Sequence, residues 1–112
     1  QAGNLIATTV ESISAAAKGD IPADTRVMLT NSSDPDAYPI SAFTWIILYK
    51  EQKYGNRTLE QAQATVKFLD WLVGFEAQAV ARKVDYAPLP DKAVLLAKEI
   101  LQSVTYDGKP VL

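Results

Sequence analysis

Few residues in this chain have the type and spacing that chemistry requires. Asp34 and Asp36 are the closest carboxylate pair, and an Asp-x-Asp arrangement could hold a hard cation or share a proton as an acid/base dyad. A calcium loop also needs further oxygen ligands and a closing Glu, and Pro35, Ala37 and Pro39 stand where these would be sought. Turn-forming Asp residues beside proline are the simpler reading. Ser32-Ser33 could offer a nucleophile with Lys50 or Lys53 as base, but the Gly-x-Ser-x-Gly elbow is absent and a serine pair at a strand end reads as turn chemistry. The 5 glycines, at positions 3, 19, 55, 74 and 108, never cluster into a phosphate-cradling loop. The helix starts near Thr8 and Thr58 have free N–H groups, but their own cap side chains are expected to occupy them. Trp45, Trp71, Tyr38, Tyr49 and Tyr86 could stack on sugars or bases; their setting on apolar stripes or beside prolines favours packing in a core or along a lobe edge. The glycosylation triplets at Asn31 and Asn56 are short patterns better read as turns or caps.

Composition narrows the field further. The 112 residues contain no His and no Cys, which excludes zinc fingers, Ser-His and Cys-His nucleophile pairs, the usual haem ligation and disulfides. Any catalysis would rest on carboxylates, Lys, Tyr or hydroxyls, and since none of these falls in a supporting motif we expect no catalytic residues, no metal site, no cofactor and no enzyme. Lys+Arg 11 against Asp+Glu 13 gives a net charge of -2, which supplies no basic footprint for nucleic acid. Hydrophobic residues at 48% and charged ones at 21% fit one globular domain able to bury a core. The absence of Cys fits a reducing compartment as well as a bacterial exported protein that avoids thiols. The longest nearly unbroken apolar run, Ala42 to Tyr49, is well short of the ~20 residues that span a bilayer, so no membrane span is expected. Opening at Gln1 rather than Met indicates a chain that has been processed or deliberately cut, from which an export signal could have been removed.

The elements that would position these residues follow from pattern. Thr8 with Glu11 has capping-box form ahead of Val10, Ile13 and Ala17, and Lys18-Gly19 closes that helix. Val27-Met28-Leu29 reads as a brief strand, and Asp34 to Pro39, with its two prolines, as a connector of fairly fixed shape. Ile40 to Lys50, rich in β-branched and aromatic residues and apolar on both alternating faces, reads as a strand covered on both sides, as in the centre of an α/β sheet. Gly55-Asn56 marks a turn, and Thr58 with Gln61 caps a long helix whose stripe is Leu59, Ala62, Val66, Leu69 and Val73. Gly74 is a point where that helix bends or breaks before Ala77 to Val84 continue it. Pro90 is placed to be the first residue of a further helix with a seam of Val94, Ala97, Leu101 and Val104, and Tyr106 to Pro110 end the chain as a tail. Such an inventory is an α/β fold whose sheet is incomplete. Either upstream segments of a longer polypeptide or a second copy of the chain must supply the missing strands.

Several uncommon segments, in order, resemble one family. They are Asp36-Ala37-Tyr38-Pro39-Ile40, Phe43-Thr44-Trp45-Ile46-Ile47-Leu48-Tyr49-Lys50, Gln52-Lys53, Phe68-Leu69-Asp70-Trp71, Asp85-Tyr86-Ala87-Pro88-Leu89-Pro90 and Asp107-Gly108-Lys109-Pro110, with Ala15-Ala16-Ala17 near the end of the first helix. The run is similar to the carboxy-terminal part of the phosphate-binding proteins of bacterial phosphate ABC transporters. The resemblance implies a two-lobed periplasmic binding protein with inorganic phosphate between the lobes and an ABC permease as partner. It also implies that the phosphate ligands lie upstream, so no phosphate-binding residue is carried onto this chain. Residues 1–34 would finish the second lobe, 35–41 would cross between lobes, and 42–112 would complete the first. The hinge would then comprise Pro35, Asp36, Ala37, Tyr38, Pro39 and Ile40. A stand-alone protein-interaction module without a transport role is the alternative.

Overall fold

The first two helix starts in this chain are set by threonine hydroxyls, and the first lies one residue beyond the expected Thr8. In the computed structural model, which describes residues 3–112, α1 spans Val10–Ala16 and is capped by Thr9. Gln1, from which the chain's processing was read, lies outside the described residues. The Thr9 hydroxyl accepts from the Ser12 N–H at 3.1 Å while the Ser12 hydroxyl accepts from the Thr9 N–H at 3.0 Å. With Thr9 as the cap, Ser12 takes the box position expected of Glu11, and the Glu11 carboxylate pairs with Arg82 at 2.6 Å.

The second box is as expected. Thr58 and Gln61 exchange backbone and side-chain hydrogen bonds at the start of α2, Leu59–Leu72. The helix breaks where the glycine stands: Gly74 is the extended N-cap of α3, Phe75–Lys83, which therefore begins two residues earlier than expected. Pro90 caps α4, Asp91–Gln102, from outside the helix rather than forming its first residue.

The chain end is structured. Thr105–Tyr106 (β1) and Lys109–Pro110 (β2) pair antiparallel across a two-residue loop, Asp107-Gly108, whose φ values of 53° and 72° are those of a mirror-image hairpin turn. Tyr106 to Pro110 are thus a hairpin, not a tail.

The two expected strands are not formed. Neither Val27–Leu29 nor the stretch from Ile40 to Lys50 carries ladder pairing; just past the end of the second, Glu51 makes an isolated parallel bridge to Thr105. A strand persists only with partners on its edges, and this one has a partner at its last residues alone. The outcome is a helix-rich α/β chain with one two-stranded sheet.

Two separate apolar clusters result. In one, Ala62, Val66 and Leu69 of α2 meet Leu101 of α4, Val104 and Val111, with Leu48 and Tyr106 at the margin. In the other, Ala15, Ala16 and Ala17 pack on Leu29 and Ala37, flanked by Val27 and Phe43. Exposed ion pairs Arg82–Glu11 and Lys92–Asp20 join the parts, contacts of a kind that contribute little. The Cα radius of gyration is 16.5 Å, where a compact domain of this length has ~13 Å.

Candidate functional site

The expected hinge is tied down along most of its length. The Asp34 carboxylate accepts from the Asp36 N–H at 2.9 Å and from Lys18 Nζ at 3.0 Å, and the Ala37 N–H donates to the Asp34 carbonyl. Those partners, the Asp36 amide foremost, hold the Asp34 carboxyl below its usual range. Asp34 and Asp36 therefore build a turn; they do not form a dyad. Ala37 is buried against α1, the Tyr38 N–H donates to the Ser12 carbonyl at 2.9 Å, and the Pro39 carbonyl accepts from the Asn31 N–H at 3.1 Å. Pro35, Asp36 and Pro39 are exposed and Ile40 is 76% exposed, while Ser41 is again buried and its hydroxyl donates to the Tyr38 carbonyl. The Ser32 hydroxyl is likewise spent on turn geometry, accepting from the Asp34 N–H.

Beyond the hinge the apolar run lies uncovered. Ile47 is 95% exposed, Tyr49 71%, Ile46 55% and Trp45 45%. Trp71 and Tyr86 are also exposed, so of these aromatic residues none lies in a core of this chain, which leaves the lobe-edge half of the expectation; Tyr38 is half-buried. The chain exposes 7934 Å² in all, against ~6,000 Å² for a compact monomer of 12.2 kDa.

Where the run ends, Glu51 fastens it to the hairpin. Its carboxylate accepts from the N–H groups of Lys53 (2.8 Å), Asp107 (2.9 Å) and Gly108 (3.1 Å) and from the Thr105 hydroxyl (2.9 Å). These donors, led by the Lys53 and Gly108 amides, pull its pKa down to about 2. Beside it Lys53 pairs with Asp107 at 2.9 Å, which raises the Lys53 pKa. Sequence reasoning missed Glu51, and only the Asp107-Gly108 turn could have pointed to it.

The depression at the start of α2, lined by Tyr54, Asn56, Arg57, Gln61 and Thr65, contains a cation, Arg57, one residue ahead of the helix cap. Arg57 is already engaged: its guanidinium donates to the Gln61 carbonyl and the Thr65 hydroxyl and lies over the Tyr54 ring, while its carbonyl accepts from the Tyr106 hydroxyl. Among the described residues no group of three or more carboxylates could hold a metal ion, and no helix is long and apolar enough to cross a membrane.

Comparison with known proteins finds similarity to phosphate-binding proteins. The "Phosphate-binding protein PstS" of Haemophilus influenzae is 33% identical over 101 residues, which is 88% of this chain and 29% of that protein. That of Pasteurella multocida is 28% identical over 97 residues, 84% of this chain and 27% of the relative. The chain spans less than a third of the length of these curated relatives. No protein-family model matches the chain. No solved structure matches it either.

Proposed function

We propose that this chain is the carboxy-terminal portion of a two-lobed, periplasmic solute-binding protein that captures inorganic phosphate for ABC-type import. The observation that carries the proposal is the 33% identity across 88% of the chain to a phosphate-binding protein more than three times its length. The uncovered apolar run from Trp45 to Tyr49 supports it, because such a surface is what a sheet leaves when its other strands are removed.

In this reading the portion acts as scaffold and hinge. Residues 1–34 finish one lobe, 35–41 cross over and 42–112 complete the other; one apolar cluster lies within 42–112, while the other draws Ala37 and Phe43 onto residues 15–29. Ala37, Tyr38 and Pro39 are bonded to the amino-terminal part, and Ser41 and Phe43 are held there as well, so bending between lobes would have to loosen some of these contacts. Closure would strip water from the anion, so that each hydrogen bond supplied by the other portion counts for more than in water. The permease would read the closed pair of lobes. No phosphate ligand is assigned within this chain, since Thr58, Gln61 and Arg57 are engaged with their own helix.

The test is complementation. The separately produced remaining portion of the Haemophilus relative, mixed with this chain, should bind it and gain phosphate affinity that neither part has alone, read by calorimetry. A remaining portion that ignores the chain would instead favour a stand-alone interaction module.

A further inference from the structure

We propose that the Asp107-Gly108 bond at the hairpin tip is a site of isoaspartate formation, held closed in the folded chain by Glu51. It is the one place in the 112 residues where Asp or Asn precedes glycine. In that pairing no side chain on the second residue keeps its backbone nitrogen from the carboxyl of the first. The tip is open: a Cβ placed on Gly108 would meet nothing within 4 Å, and the Asp107 side chain is 67% exposed.

The reaction is a condensation followed by hydrolysis. With the Asp107 carboxyl protonated, the Gly108 nitrogen attacks Cγ, the N–Cγ bond forms, the Cγ–OH bond breaks, and the hydroxyl leaves with the amide proton as water. The resulting five-membered succinimide then takes water back. Attack of water at Cγ breaks the new bond and restores Asp107. Attack at the Asp107 main-chain carbonyl carbon breaks its bond to the Gly108 nitrogen instead, and the chain then runs through Cβ and Cγ.

Ring closure requires the Gly108 nitrogen to rotate about the Asp107 Cα–C bond until it faces Cγ, and the folded tip opposes that rotation. The Asp107 and Gly108 N–H groups donate to the two oxygens of the Glu51 carboxylate at 2.9 and 3.1 Å. The Asp107 carboxylate is paired with Lys53 at 2.9 Å, and the Lys53 N–H donates to Glu51 as well. On either side of the tip, Tyr106 pairs with Lys109. Glu51 is therefore common to both tip amides and to the residue that holds the reacting carboxyl.

The product would not fit the fold. An added main-chain carbon lengthens the tip, so Tyr106 and Lys109 lose their present register. Val111, 4% exposed and donating its N–H to the Val104 carbonyl at 3.1 Å, is then drawn out of the carboxy-terminal cluster.

The test is incubation of the chain at physiological temperature and neutral pH. Chromatography of its tryptic peptide 99–112 separates the two isomers, which have equal mass, and fragmentation assigns the change to position 107. The folded chain should accumulate isoaspartate at least about tenfold more slowly than the same chain unfolded in urea, since two hydrogen bonds to a charged acceptor must open first. Glu51→Gln, with folding checked by circular dichroism, should bring the folded rate to within a few-fold of the unfolded one. Hydrogen exchange on the unaltered chain decides without a variant: the Gly108 amide should be protected. Equal rates in the folded and unfolded chain overturn the proposal. So does a folded Glu51→Gln chain that keeps the original rate, or a Gly108 amide that exchanges as in an unfolded chain. The proposal stands apart from the phosphate reading, as phosphate binding by the chain would leave each comparison unchanged.

Discussion

Leu101→Ala is expected to destabilise the carboxy-terminal half by about 3 kcal/mol, enough to open it while the amino-terminal cluster persists. Leu101 is 5% exposed and sits where α4 meets Ala62, Val66 and Leu69 of α2, with Val104 and Val111 beside it. Truncation removes both the buried area and the contacts of a side chain whose neighbours, set on two helices and a hairpin, cannot all close the gap. The loss is large for so small a cluster, since whole domains are stable by only ~5–15 kcal/mol. Hydrogen exchange should show the α4 and hairpin amides losing protection together, with Ile13 and Tyr38 N–H unchanged. Equal loss at Tyr38 would mean that the two clusters unfold as one unit, and that the ion pairs between them matter more than exposed pairs normally do.

The second large effect is one of pH. Glu51 has a folded pKa of about 2, whereas an unfolded glutamate titrates near ~4.3. Between those values the unfolded chain binds more protons, so the stability that Glu51 contributes is fully present above about pH 4.5 and drains away as pH falls toward 2. Asp34 and Asp24, also held below their usual range, act in the same direction. Glu51→Gln should therefore flatten the acid limb of the stability curve without abolishing it. It should also expose the Asp107 and Gly108 amides to exchange at neutral pH, because one neutral carbonyl cannot replace two charged oxygens serving four donors. An unchanged acid limb would remove Glu51 from its place as the fastening between the apolar run and the hairpin.

How far the sequence leads depends on whether a feature is local. Thr58 with Gln61, Gly74 and the prolines act within a few residues, and the structure has helix boundaries at or beside them. Thr9 displaced Thr8 because Ser12 can return the hydrogen bond, and two adjacent threonines leave that choice to a single side chain. The hairpin was obscured by its flanks: Asp-Gly signals a tight turn, but Pro110 and the lack of alternation argued against strands around it. The Ile40 to Lys50 stretch shows the limit from the other side. Its composition specifies a covered strand, yet covering is a property of partners, and the chain itself provides one bridge at Glu51. Of the candidate site, the turn built by Asp34 and Asp36 was legible, while the Glu51 carboxylate was not, since its donors Asp107 and Gly108 lie more than fifty positions along the chain.

The claim that this portion supplies scaffold and hinge but no ligands is tested most directly by titrating the chain alone with inorganic phosphate in a calorimeter, on samples of known sedimentation mass. The expected result is no heat beyond dilution. Micromolar or tighter binding would contradict it, and would mean that an anion site is assembled from residues here assigned to turns and caps.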